Sequence, residues 1–132
     1  MIQVVPAIIP ADYDDLVSQI NTVRNFVDLV QVDVMDGKYT PQPSWPYDPQ
    51  HREHFADIVS EKEGFPYWES VNYEVDMMVE KPEDHVDDWI AAGAKTLIIH
   101  IENTKNIDEI ISRSAEKGVG VGIALKPSTS ND

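Results

Sequence analysis

Two carboxylates stand in an apolar run that ends at a glycine: Gln31-Val32-Asp33-Val34-Met35-Asp36-Gly37. The β-branched residues Val30, Val32 and Val34 predict a strand closed by a turn at Gly37. Asp33 and Asp36 then fall at or just past its carboxyl end, where α/β folds carry their chemistry. A strand-borne aspartate is costly to bury unless a proton, a metal or hydrogen-bond donors accompany it. Three other groups invite chemical readings. His51 and His54, three apart on an expected helix, could ligate a metal, although a solvated helix face accounts for them without one. His100 closes a later strand and reads either as a site-lining group or as a hydrogen-bonded core histidine. Lys126, at the end of the last strand, would suit Schiff-base chemistry only if desolvated. The glycine-rich run 118–122 opens a strand rather than a helix and so is no phosphate loop.

The elements that must position these groups alternate in type. Residues 2–9 read as a strand ended by Pro10. A helix capped near Asp12 then follows, with Leu16, Ile20, Val23 and Val27 at helical spacing. Strands are expected over 29–35, 73–79, 96–101 and 119–125. Between the later ones lie a helix begun by Pro82 and stopped by Gly93, and another over 107–115 stopped by Gly118. The connection 38–72 is long and rich in proline and aromatic residues, with one expected helix over 51–60. Its aromatics are read as packing groups in preference to a lid. Repeated βα units with near-continuously apolar strands argue for a parallel sheet covered by helices.

Composition bounds the rest. The 132 residues suffice for one domain. With 24 acidic and 10 basic residues the net charge is −14, which disfavours nucleic acid and anionic membranes as partners. The absence of cysteine removes disulfide and thiolate chemistry. With no membrane-length apolar run and no signal-like N-terminus, a cytoplasmic protein is the simplest expectation.

The ordered set Pro6-Ala7-Ile8-Ile9, Val32-Asp33-Val34-Met35-Asp36-Gly37, Asp76-Met77-Met78-Val79 with Lys81-Pro82-Glu83, His100-Ile101-Glu102, and Gly122-Ile123-Ala124-Leu125-Lys126-Pro127 resembles the ribulose-phosphate 3-epimerase family. That resemblance implies a (β/α)8 TIM barrel of the ribulose-phosphate-binding type, present here as about five parallel strands with helices in a single domain over 1–132. It implies an isomerase of the pentose phosphate pathway acting on a sugar phosphate by proton abstraction at C3. In such an enzyme two aspartates on opposite faces exchange the proton, and a divalent metal (Mg, Mn, Zn or Fe) steadies the enediolate. Carried over residue by residue, Asp33 matches a catalytic aspartate that is also a metal ligand, and Met35 and Met78 match a soft wall beside the substrate. His100 matches a histidine near the pocket. Gln31 and Asp76 stand where the family has metal-binding histidines, and Ala7 where it commonly has serine. An oxygen-only set of Asp33, Asp76 and Gln31 would suit a hard cation and hold it weakly.

The resemblance places the second aspartate and the phosphate loops on the last strands of the barrel, beyond the fifth, and a closed barrel takes about 200 residues or more. The first and fifth strands are then expected to expose apolar edges, to be covered by the rest of a longer protein or by a second copy in a homo-oligomer. A non-catalytic sugar-phosphate-binding or assembly module that has lost the metal is the alternative expectation.

Overall fold

A computed structural model describes residues 1–130. Five parallel strands form one sheet: β1 (Ala7–Ile8), β2 (Leu29–Met35), β3 (Asn72–Met78), β4 (Thr96–His100) and β5 (Gly120–Ala124). The helices are α1 (Tyr13–Val23), α2 (Phe55–Val59), α3 (Val86–Ala91) and α4 (Ile107–Glu116), with 3₁₀ turns at Pro82–Asp84 and Ile101–Asn103. Strand order in the sheet equals chain order, β1-β2-β3-β4-β5. A sheet that advances without reversal is the progression of a (β/α)8 barrel and not of a doubly wound fold. The expected partial barrel is therefore the one observed.

Period-two burial explains the layering. Val30, Val32 and Val34 of β2, Tyr73, Val75 and Met77 of β3, and Leu97 and Ile99 of β4 are buried. They share one core with Leu16 and Ile20 of α1, Val86 and Trp89 of α3, and Ile110 of α4. Alternate residues on the same strands face the other way and stay partly exposed. Asp12 caps α1 by accepting the Asp15 N–H at 2.8 Å, and Gly93 (φ +95°) and Gly118 (φ +71°) supply the left-handed residues that end α3 and α4.

The first strand is shorter than its apolar pattern predicts. Only Ala7–Ile8 pair with β2, because Pro6 has no N–H to give, although its carbonyl still accepts from Gln31 N at 2.8 Å. Residues 1–4 are exposed. The helix expected over 51–60 is also trimmed, to Phe55–Val59. His54 lies outside it in a left-handed conformation, so the two histidines do not share a helix face. Instead the His54 ring stacks on Tyr13 at 3.8 Å and its Nδ1 meets Glu63 Oε2 at 2.7 Å.

The connection between β2 and β3 does the work of a crossover helix. Trp45 is fully buried and meets Trp89 at 6.2 Å, Phe55 at 5.6 Å, Tyr13 at 6.0 Å and Phe65 at 6.4 Å between ring centroids. Its indole N–H donates to the Glu53 carbonyl at 2.9 Å, and Trp89 donates to the Tyr47 hydroxyl at 2.9 Å. Aromatic packing thus replaces the missing helix length, as the aromatic-rich sequence leads one to expect; Trp68, 62% exposed, is the exception. Trp45→Ala is expected to lower the unfolding free energy by about 3–5 kcal/mol, measured by chemical denaturation; a loss below about 1 kcal/mol would mean the cluster is not the core of this layer.

Candidate active site

The exposed-side residues of the three central strands stand in rows. Asp33 is paired in register with Asp76, and Asp76 with Ile98. Below them Gln31 pairs with Glu74, and above them Met35 pairs with Met78. Neighbouring strands lie about 4.8 Å apart, so the two aspartates are forced together on one face by the same burial pattern that hides the valines. Small residues, Gly122 beside Ile98 and Ala124 beside His100, leave the β5 side of this face open.

Hydrogen bonds organise the polar row. Gln31 Nε2 donates to Asp33 Oδ1 at 2.7 Å. Asp76 Oδ1 lies 3.0 Å from His100 Nε2, and these side chains are only 17% and 15% exposed. The other imidazole nitrogen, Nδ1, lies 3.2 Å from the Tyr39 hydroxyl, and Lys126 Nζ sits 4.3 Å from the Tyr39 ring centroid. Burial, reinforced by the Asp76 charge, pushes the Asp33 carboxyl above the usual carboxylate range, with Gln31 and His100 acting against it.

Asp36 lies outside this row. Its Oδ1 accepts the N–H groups of Lys38 (2.9 Å) and Tyr39 (3.1 Å), and its Oδ2 accepts that of Glu80 (2.8 Å). Against the cost of burial, these bonds, with the charge of Lys38, hold its carboxyl below the usual range. It is a clamp that ties the loop after β2 to the loop after β3. Gly37 (φ +76°) makes the turn beside it, where a Cβ would come within 3.3 Å of Pro43. Ser44 completes the loop: its Oγ accepts from Met35 N and its own N–H donates to the Met35 carbonyl, both at 3.0 Å.

The structure thus brings Gln31, Asp33, Met35, Asp76, Met78 and His100 to one face. His51 and His54 lie elsewhere, with residues 12–14. Lys126 is exposed and lacks the desolvation a Schiff-base lysine needs. Tyr39 escapes a reading by period, because a loop delivers it; the turn signal Asp36-Gly37 was the only hint of where the chain would bend. Glu102 was also missed: it accepts the Lys126 N–H at 2.6 Å and the Thr129 hydroxyl, which hold its carboxyl at about 2 and fix the exit of β5.

The comparisons with known proteins can now be set beside this face. Residues 3–132 match the "Ribulose-phosphate 3 epimerase family". The chain belongs to that family. It is 30% identical over 128 residues to the ribulose-phosphate 3-epimerase of Schizosaccharomyces pombe, covering 96% of this chain and 52% of the relative. With the enzyme of the same name from Chlamydia trachomatis it shares 33% over 128 residues (96% and 50%), and with that of Bacillus subtilis 28% over 130 (98% and 54%). The chain spans about half the length of the curated relatives it matches. Family membership makes the five strands a portion of a TIM barrel, with the rows of Gln31, Asp33 and Met35 on its inner face.

The family resemblance implies a divalent metal. Among the described residues, no three His, Asp or Glu side chains converge as metal ligands. Gln31 turns a donor toward Asp33, and His100 Nε2 is engaged by Asp76. A resident zinc or iron centre wants four convergent donors, commonly imidazoles, and these residues do not fit one. Titration with Mn²⁺ followed by electron paramagnetic resonance is expected to give a dissociation constant no tighter than the 10⁻⁴–10⁻³ M of loosely organised oxygen sites, roughly; nanomolar binding would overturn this assessment.

The elevated Asp33 carboxyl carries a stability consequence. A carboxyl raised in the folded state lends stability that is full below its unfolded pKa and lost as pH rises through the folded value. Ionised Asp33 is therefore a net cost at neutral pH. Asp33→Asn keeps an acceptor for Gln31 and is expected to raise the thermal midpoint at about pH 7, with the advantage fading toward about pH 3. Equal midpoints at neutral pH would contradict it.

Proposed function

We propose that this chain carries the proton-abstracting side of a pentose-phosphate 3-epimerase site, with Asp33 as the base. The observation that supports it most is Asp33 itself: a half-buried carboxylate on the inner face, oriented by Gln31 at 2.7 Å, with its affinity for a proton raised. A general base works best when its pKa moves toward the operating pH, and burial moves this one in that direction.

The substrate read from the family is a ketopentose 5-phosphate such as D-ribulose 5-phosphate. Asp33 takes the C3 proton; the C–H electron pair forms the C2–C3 double bond, and the carbonyl pair moves onto O2 to give an enediolate. Met35 and Met78, in register on β2 and β3, supply a polarisable wall beside this planar intermediate. His100 and Asp76 border the same space. Carboxylates on this face approach the substrate from one side. The acid for the opposite side, and with it inversion at C3, is a matter for residues beyond these five strands. The outer edges of β1 and β5 have no partner strand among the described residues, and Ile123 within β5 (48%) and Leu125 just after it (43%) are exposed. Further βα units or a second copy would suit these edges.

Nuclear magnetic resonance of D-ribulose 5-phosphate in deuterium oxide tests the proposal. Deuterium is expected to enter C3 with the chain as given, faster than xylulose 5-phosphate appears. In Asp33→Asn the exchange is expected to fall by about 10²–10⁴. Exchange that survives this substitution would assign the base elsewhere.

A further inference from the structure

Tyr39 is held in place from several sides and touches the site only through His100. Its own N–H and that of Lys38 bind Asp36 Oδ1, and the other oxygen of Asp36 binds Glu80 N, so its backbone is anchored to the exits of both β2 and β3. Its ring is tilted 59° against His100 at 5.2 Å, and Lys126 Nζ caps it at 4.3 Å. Lys126 is in turn fixed at its N–H by Glu102.

The proton arrangement follows from elementary hydrogen-bond inventory. A carboxylate only accepts, so at 3.0 Å from Asp76 Oδ1 the His100 Nε2 carries a hydrogen. In the neutral imidazole Nδ1 is then an acceptor, and at 3.2 Å the Tyr39 O–H is its donor. The opposite tautomer would set the Nε2 lone pair against the carboxylate. The carboxylate of Asp76 therefore selects the neutral form of His100 with its proton on Nε2, and the Tyr39 hydroxyl, donating to the Nδ1 left bare, holds the far side of the ring.

We propose that Tyr39 is a positioning residue: its hydroxyl holds the ring of His100 at Nδ1, and His100 in turn holds the Asp76 carboxylate in place beside the base Asp33. The effect on rate rests on the function proposed above; the effect on the imidazole does not.

The test is Tyr39→Phe, which keeps the ring beneath Lys126 and removes only the hydroxyl. Long-range ¹⁵N–¹H correlation spectra of the histidine side chains, recorded at about pH 8.5 where imidazoles are neutral, read the tautomer directly. Wild type and variant are both expected to show His100 with its proton on Nε2. The Nδ1 resonance, moved upfield in the wild type by the hydroxyl's hydrogen bond, is expected to shift downfield in the variant, toward that of an unbonded ring nitrogen. Deuterium entry at C3 of D-ribulose 5-phosphate should slow about tenfold, the scale typical of losing an orienting partner behind a functional group. The concentration for half-maximal rate should hold, and an unchanged thermal midpoint would certify the fold. Unchanged His100 resonances in the variant would overturn the proposal, and so would a displaced Nδ1 resonance with an unchanged rate. Should the wild type exchange no proton, the function proposed above falls. The His100 spectra then decide alone whether Tyr39 governs the imidazole.

Discussion

The parallel pairing of β2 with β3 is the constraint on which the rest depends. It runs in register from Leu29↔Asn72 to Met35↔Met78, and it buries Val30, Val32 and Val34 beside Tyr73, Val75 and Met77. A slip of one residue in either strand would turn carboxylates into the core and valines out of it. The hydrophobic demand of one face therefore compels two aspartates to stand side by side on the other. Two neighbours answer that repulsion: Gln31 donates to one carboxylate and His100 to the other, while the first takes on added affinity for a proton.

The long connection between these strands serves two ends of the molecule at once. Its middle supplies Trp45 and Phe65 to the helix layer, where α2 is too short to cover β2 and β3 alone. Its first residues bend back over the carboxyl ends of the strands, joined to β2 through Ser44 and to the loop after β3 through Asp36. Rigid packing at one end and backbone clamping at the other give the exit loop a defined path without regular secondary structure.

Much of this was legible from residue order. The β2 run reads residue for residue as the observed Leu29–Met35, because β-branched alternation and a glycine stop agree on the same limits. The parallel, helix-covered sheet also follows from alternating periods, and its nature as part of a barrel from the ordered motifs. β1 was over-read, since Ile2 and Val4 are apolar yet lie before a proline that cannot donate to a ladder. On the inner face, Gln31, Asp33, Asp76 and His100 were gathered by the family resemblance, position by position, and the strand register places them on one face. Tyr39 was out of reach because a tertiary path, not a period, sets it against His100. Asp36 looked like a second chemical carboxylate, but an aspartate before glycine at a turn is also the residue best able to gather backbone N–H groups.

The Asp36 clamp holds only main-chain atoms of Lys38, Tyr39 and Glu80. Any residue but proline offers the same N–H, so the clamp is blind to which side chains the loops display. In evolutionary terms the frame and the decoration are inherited separately. Positions 38, 39 and 80 can drift through many residue types while the loop keeps its path, and a change at 39 alters what meets His100. A lineage carrying this aspartate can revise its chemistry without having to rebuild the loop that delivers it.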